Sequence, residues 1–440
     1  MRTFDNLIIG AGPGGYELAA GLAARGESVA VFERDLEGGT CLNRGCIPTK
    51  CLCASARRMI EVADAPKFGI ETSGCAPRVD YSAVHARMTS VVDGLRDGVR
   101  GLLRDVETVH GEASLEGGRI VRCNGELWQA TKRLVIATGS RPAIPPVEGA
   151  ELLSTSDDVL AMTQLPESMV IIGAGVIGIE FASAFSTFGV KVTVVEFCKE
   201  ILPPFDPEIA KRLRMALTRR GVTFMLSSKV VSVEAAAGRR KLRVETQRGV
   251  VEVDADMAVS AVGRRPVLPA GLEKAGIALD SRGFIAVDEN MSTSAEGTYA
   301  VGDVNGLSLL AHSASAQARV ILTGNPRCFD ASQVPGVVYS IPELASVGPL
   351  PQTLEQDGVE YRAVKRQYAS LGKARADGSD GVAKFLVSAA DGRLLAATIL
   401  GDHAGDLIME AEILIADRRS LPDAASLYIH PHPSMSEIFI

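Results

Sequence analysis

No apolar run in the 440 residues approaches the ~20 residues a membrane-spanning helix needs. The start of the chain lacks the apolar stretch and small-residue cleavage site of a secretory signal: Met1-Arg2-Thr3-Phe4-Asp5 leads straight into a short strand-like run and then glycines. A cytoplasmic protein is therefore expected. There is no basic excess either, since 46 Lys and Arg face 53 Asp and Glu for a net charge of −7, and pairs such as Arg219-Arg220 are scattered. A nucleic-acid partner is not expected. Eight cysteines are too few for a disulfide scaffold. The spacing of Cys41, Cys46, Cys51 and Cys53 matches no usual zinc pattern, so no metal site is expected. What remains is an ordinary globular composition, 46% hydrophobic and 22% charged, in a chain too long for one hydrophobic core.

The organising feature is a duplication. Leu7 to Ile9 runs into Gly10-Ala11-Gly12-Pro13-Gly14-Gly15, a helix-like stretch follows, and a second strand ends at Glu33. Met169 to Ile172 runs into Gly173-Ala174-Gly175-Val176-Ile177-Gly178, again with a helix-like stretch and a strand, ending at Glu196. In both copies the acid stands 18 residues after the third glycine. The chemistry of a dinucleotide explains each position. Gly10 and Gly173 turn the chain tightly, Gly12 and Gly175 let backbone approach a pyrophosphate, and Gly15 and Gly178 let helix and strand pack closely. Glu33 and Glu196 suit a ribose hydroxyl. One such motif is a weak signal, but two in the same strand–turn–helix–strand setting are a strong one.

Each copy later closes on a strand, a glycine and basic residues: Gly139-Ser140-Arg141-Pro142, then Gly263-Arg264-Arg265-Pro266. The second copy is thus inserted in the first, which resumes at Thr298-Tyr299-Ala300-Val301-Gly302-Asp303. Beyond Val337, short strands (Val337–Tyr339, Tyr361–Gln367, Val382–Val387 and Leu394–Leu400) precede an amphipathic helix from Asp406 to Ala416. The expected fold is α/β, with two Rossmann-like dinucleotide-binding domains and an α+β C-terminal dimerisation domain. The expected divisions are 1–145 for the first part of one nucleotide domain, 146–266 for the other, 267–333 for the return, and 334–440 for dimerisation.

Between the first copy's strand and its next helix lies Gly38-Gly39-Thr40-Cys41-Leu42-Asn43-Arg44-Gly45-Cys46-Ile47-Pro48-Thr49-Lys50. This segment closely resembles the active-site motif of the pyridine nucleotide–disulfide oxidoreductases, in the version of the dihydrolipoamide dehydrogenase branch. The resemblance runs along nearly the whole chain, through Val338-Tyr339-Ser340-Ile341-Pro342-Glu343 and the ending His430-Pro431-His432-Pro433-Ser434-Met435-Ser436-Glu437. It implies FAD on the first copy, with Asp303 at its ribityl or phosphate region, and NAD on the second. It implies that Cys41 and Cys46 form a redox disulfide, Cys41 exchanging with the substrate dithiol and Cys46 facing the flavin. Lys50 is implied near the flavin N5 edge, paired with Glu180. His432 is implied as the acid/base that Glu437 orients, while His430 has a supporting role at most.

Residues five apart on a regular helix have Cα atoms ~8–9 Å apart, against about 4.4–6.8 Å in a disulfide. If Cys41 and Cys46 pair, the backbone must therefore bend, and Gly45 is the residue that can permit it. Cys51 and Cys53 fall outside the family pattern and read as small buried helix residues.

The implied activity is oxidation of dihydrolipoyl groups by NAD⁺ in a homodimer. The partner would be a lipoyl-bearing protein of a 2-oxo acid dehydrogenase or glycine cleavage complex, because no lipoyl-like domain precedes Met1. The chain ends three residues after Glu437, earlier than its kin. Glutathione, mycothiol and mercuric reductases are rivals of the same class. Glu196 disfavours those that prefer a 2′-phosphate, and the C-terminal cysteine pair of mercuric reductases is absent. A non-catalytic flavoprotein subunit would not need Cys41, Cys46, Lys50, His432 and Glu437 together.

Overall fold

The computed structural model describes every residue except Ser73, Cys75 and Ala76; Cys75, which the sequence leaves without an evident partner, lies outside the described residues. The chain forms two compact units, residues 1–49, 85–143 and 264–331 in one, and 50–84, 144–263 and 332–440 in the other.

The first unit is built on a seven-stranded sheet. Strands Glu107–His110, Val29–Glu33, Arg2–Ile9 and Glu126–Ile136 run parallel in that order, and Thr298–Ala300 pairs parallel with the C-terminal half of the last. Two antiparallel strands, Ile120–Cys123 and Ser114–Gly117, continue from the other half of Glu126–Ile136. The central strands are apolar in both directions, with Leu7, Ile8, Val31, Leu134, Val135 and Ile136 at 0% exposure, as a parallel sheet covered on both faces requires. Helix α1 (Pro13–Ala23) covers one face. On the other face the single tryptophan, Trp128, meets Phe32 edge-on at 5.3 Å. Helix α2 (Gly39–Arg44) follows, and α3 (Cys46–Asp64) starts in this unit and continues into the second beyond Thr49.

The second unit contains two bodies of sheet that matter here. Strands Thr223–Met225, Lys191–Val195, Ser168–Ile172 and Met257–Ser260 form a parallel sheet in that order, and helix α4 (Val176–Thr187) follows its glycine turn. The C-terminal segment is a five-stranded antiparallel sheet, ordered Gly336–Val338, Leu344–Val347, Leu394–Leu400, Val382–Ser388 and Tyr361–Gln367. Helix Ala404–Ala416 packs on it through Leu407, Ile408, Ala411 and Leu414, over a core that includes Phe385 and Phe439. The strand Leu344–Val347 was not anticipated: four residues between Pro342-Glu343 and Gly348 are too short to show a period, and the partner that stabilises them lies in 394–400. Among the described residues no helix is long and apolar enough to cross a membrane.

Candidate active site

The two glycine turns fold alike. Gly10 and Gly173 both have φ +105°, and an added Cβ would stand 2.4 Å and 2.5 Å from the carbonyl oxygens of Ala137 and Ala261. A Cβ on Gly15 would meet the Gly10 oxygen at 2.0 Å, and one on Gly178 the Gly173 oxygen at 2.1 Å, so the third glycine is fixed by helix–strand packing. The middle glycines differ from these. Gly12 and Gly175 cap α1 and α4 with φ −73°, no side chain caps either helix, and an added Cβ would touch nothing closer than 4.0 Å at Gly12 and nothing within 4 Å at Gly175. Each cradle is thus an uncapped helix N-terminus with room above it, which is what a pyrophosphate needs.

The acids are held alike too. Glu33 accepts from the Ala11 N–H at 2.7 Å and the Asp35 N–H at 2.9 Å; Glu196 accepts from Ala174 at 2.5 Å and Cys198 at 2.7 Å. A carboxylate has about four lone-pair sites, so both acids keep capacity for ribose hydroxyls.

In the first unit the cysteine segment lies on the first cradle. Gly38 and Gly39 both have positive φ (+92° and +60°), and the Gly38 N–H donates to the Ala11 carbonyl at 2.8 Å. An added Cβ on Gly39 would stand 2.7 Å from the Gly12 Cα, so only glycine lets α2 start this close to the cradle. The Asn43 amide ties the turn down, donating to the carbonyls of Glu37 and Gly39, each at 2.9 Å. α2 then stops at Gly45 (φ −145°, ψ −110°), and α3 starts at Cys46. A side chain at Gly45 would press its Cβ to 2.8 Å from the Thr40 oxygen and 3.3 Å from the Cys41 Cα. The helix is thus broken between the cysteines, both of which are half-buried.

Asp303 is in the same unit, in the 3₁₀ turn Gly302–Asn305. The Ser140 hydroxyl donates to it, and Arg264 donates to the Ser140 Oγ at 2.6 Å and to its carbonyl at 2.8 Å. Burial raises the Asp303 carboxyl above its ordinary value, against the lowering effect of Ser140 and Arg264. Neither Ser140 nor Arg264 was singled out in the sequence. They follow Gly139 (φ +66°) and Gly263 (φ +111°), and the pairing of strands 140–142 and 264–266 brings them together.

In the second unit Lys50 Nζ donates to both carboxylate oxygens of Glu180, at 2.9 Å and 3.0 Å. Glu180 is buried on α4 and also accepts from the Tyr339 N–H at 2.9 Å. Only the carboxylate is deeply buried: the side chains are 3% exposed at Glu180 and 32% at Lys50, so loss of the lysine would leave a buried carboxylate without its cation. Nearby, burial pushes the Cys53 thiol up, which makes it an inert thiol; Cys51 is also buried.

At the C-terminal end His432 Nδ1 lies 2.8 Å from Glu437 Oε1, and the Ser434 N–H donates to Glu437 Oε2 at 2.9 Å. The His432 contact, then the Ser434 N–H, hold the Glu437 carboxyl below its usual range. An ionised Glu437 only accepts, so Nδ1 carries the proton of the neutral ring and Nε2 has the free lone pair. The His432 side chain is 80% exposed. His430 instead turns inward: its side chain is 6% exposed and its Nε2 lies 2.7 Å from Glu410. The structure brings no group of three His, Cys, Asp or Glu into a metal-binding cluster among the described residues.

The chain is similar to known proteins along its whole length. Residues 4–318 match the model of the pyridine nucleotide-disulphide oxidoreductase family, and residues 334–440 match that family's dimerisation domain. Dihydrolipoyl dehydrogenase of Chlamydia muridarum is 38% identical over 451 residues, covering 100% of this chain and 96% of that protein. The dihydrolipoyl dehydrogenase of Geobacillus stearothermophilus is 36% identical, covering 99% and 94%. Among solved structures, the HOCl-induced flavoprotein disulfide reductase RclA of Escherichia coli, as its Cu(II) complex, is 28% identical with a TM-score of 0.88, covering 100% of this chain and 98% of that one. With two dinucleotide cradles, a cysteine pair laid on the first of them, a dimerisation domain and relatives of this identity along its full length, the chain belongs to the pyridine nucleotide–disulphide oxidoreductase family, among its dihydrolipoyl dehydrogenases.

Proposed function

We propose that the protein oxidises dihydrolipoyl groups with NAD⁺, using a Cys41–Cys46 disulfide, FAD on the cradle of Gly10, Gly12 and Gly15, and NAD on that of Gly173, Gly175 and Gly178. The observation that carries this reading is the close approach of Gly39 to Gly12, which sets the cysteine segment against the first cradle and so supports that cradle as the flavin's. When bound, the flavin takes two electrons from the cysteine pair and NAD⁺ carries them away.

The chain's own residues supply the rest. A thiolate of the substrate attacks the Cys41 sulfur, and Cys46 leaves as a thiolate. The second substrate thiol then attacks the sulfur of its partner, closing the substrate disulfide and releasing Cys41. His432 Nε2 takes up the proton that this thiol loses, and Glu437 supports the imidazolium that forms. Lys50, four residues after Cys46 along α3, serves the flavin edge in this reading. A cation there favours the anionic reduced flavin, and Glu180 fixes its direction. Asp303 and Glu33 serve FAD, with Gly139 giving close backbone approach; Glu196 and Gly263 do the same for NAD.

We assign residues 1–145 and 267–333 to FAD, 146–266 to NAD and 334–440 to dimerisation. In the homodimer His432 of one chain serves Cys41 of the other. The lipoyl group arrives on a separate protein of a 2-oxo acid dehydrogenase or glycine cleavage complex, in the cytoplasm. The test is NAD⁺ reduction by the purified protein with dihydrolipoamide, reduced glutathione and mycothiol side by side. Dihydrolipoamide should exceed the other two in kcat/KM by orders of magnitude, and a preference for either monothiol would refute the assignment.

A further inference from the structure

We propose that Tyr339 is a positioning residue that holds both members of the Lys50–Glu180 pair, the cation with its ring and the carboxylate with its backbone N–H. The inference rests on the placement of Lys50 beside the flavin given above.

Lys50 spends two donors on Glu180, and its Nζ lies 4.7 Å from the centroid of the Tyr339 ring. An ammonium over an aromatic face is attracted by the ring quadrupole. The N–H of the same residue donates to Glu180 Oε1, the oxygen that Lys50 approaches at 2.9 Å. One residue therefore fixes the acid and the base through two independent groups, and neither can turn without losing a contact to it.

The position of Tyr339 is itself determined. Two residues on, the Ile341 N–H donates to the Ser183 hydroxyl at 2.9 Å, so residues 339–341 are stitched to α4 at Glu180 and again at Ser183. Val338 and Ser340 on either side are 0% exposed, and the Ser340 hydroxyl donates to the Pro342 carbonyl at 2.7 Å. A Cβ on Gly405 would lie 3.5 Å from Tyr339 Cε1, so the ring edge rests against the start of helix Ala404–Ala416. Burial, the largest influence, raises the phenol above its ordinary value, so the ring is neutral over the working pH range and acts on Lys50 through its face.

Lysine has a flexible four-carbon stem, and this side chain is 32% exposed. The ring face adds a second contact to the ammonium beside the one with Glu180. Because the backbone N–H survives any side-chain change at Tyr339, the ring's part can be isolated. Tyr339→Phe keeps the face and Tyr339→Leu removes it while keeping an apolar side chain.

The experiment uses the FAD-loaded dimer, with Tyr339→Phe, Tyr339→Leu, Lys50→Met and the double variant Lys50→Met/Tyr339→Leu. The readout is the equilibrium between oxidised and reduced flavin, measured against a redox dye. Tyr339→Phe should keep the wild-type equilibrium. Tyr339→Leu should disfavour the reduced flavin by about 2- to 10-fold, the range of an exposed to half-buried cation–π contact, and should add nothing in the Lys50→Met background. Equal equilibria for Leu and Phe, with Lys50→Met shifted, would overturn the role of Tyr339 alone. A Tyr339→Leu effect of the same size without Lys50 would also overturn it, because the ring would then be acting by another route. If Lys50→Met leaves the flavin equilibrium unmoved, the placement of Lys50 fails, and the role of Tyr339 with it.

Discussion

Gly175 and Gly178 lie three residues apart in one motif, yet alanine should do different things at the two positions. At Gly178 the new Cβ would meet the Gly173 carbonyl oxygen at 2.1 Å, more than 1 Å inside contact distance, and both partners are backbone. α4 must move off its strand, which overpacking series put at about 1–3 kcal/mol. The better helix propensity of alanine, about 1 kcal/mol, offsets part of this. At Gly175 the backbone has φ −73° and ψ −176°, open to any residue, and the Cβ finds nothing within 4 Å. Alanine there gains up to about 1 kcal/mol through loss of unfolded-chain freedom, and glycine's advantage over alanine at an N-cap offsets a similar amount, so the net change should be small. Its methyl group would occupy the room above the helix N-terminus, so NADH binding should weaken by about tenfold or more, equivalent to about 1.4 kcal/mol. Thermal unfolding of the FAD-loaded protein and NADH titration of each variant measure the two effects separately. The reasoning fails if Gly175→Ala lowers the melting temperature as far as Gly178→Ala does, or if it binds NADH as tightly as the parent.

Three further outcomes are expected. Partial reduction should give a long-wavelength absorbance from a Cys46 thiolate beside FAD; Cys46→Ser should abolish the band and Cys41→Ser should show it without reductant, and the reverse pattern would exchange the two roles. Glu196, a carboxylate held by two backbone N–H groups, repels a 2′-phosphate, so kcat/KM should favour NAD over NADP, and a ratio near one would contradict the assignment. Mixing inactive Cys41→Ser chains with inactive His432→Gln chains should restore activity in heterodimers, where one of the two sites carries neither defect; verified heterodimers without activity, beside wild-type chains that survive the same exchange, would rule out a site shared between subunits.

Much of the site was legible without coordinates because its determinants are local. A glycine needed for positive φ or for a backbone contact three to five residues away leaves its mark within one turn, as Gly10, Gly15 and their counterparts Gly173 and Gly178 do. The break of the helix at Gly45 is of the same kind, since the residue it must avoid is Thr40. The strands of the parallel sheets were readable as continuous apolar runs. Side-chain contacts over long chain separations were legible only where family resemblance pointed to them, as with Lys50 and Glu180, 130 positions apart. Tyr339 reads in sequence as the end of a strand, and its two roles around that pair arise from contacts 159 positions away along the chain and from a ring face that no periodicity encodes. Likewise Ser140, Arg264 and Asp303 are brought together by the pairing of two three-residue strands, and the inward turn of His430 against the outward one of His432 is set by Glu410 on a separate helix. Sequence determined the two glycine turns and the cysteine turn, because backbone sterics and burial act within a few residues. Tertiary structure decided which polar groups meet, because a hydrogen bond or an ammonium over a ring depends on distances that only the packed chain defines.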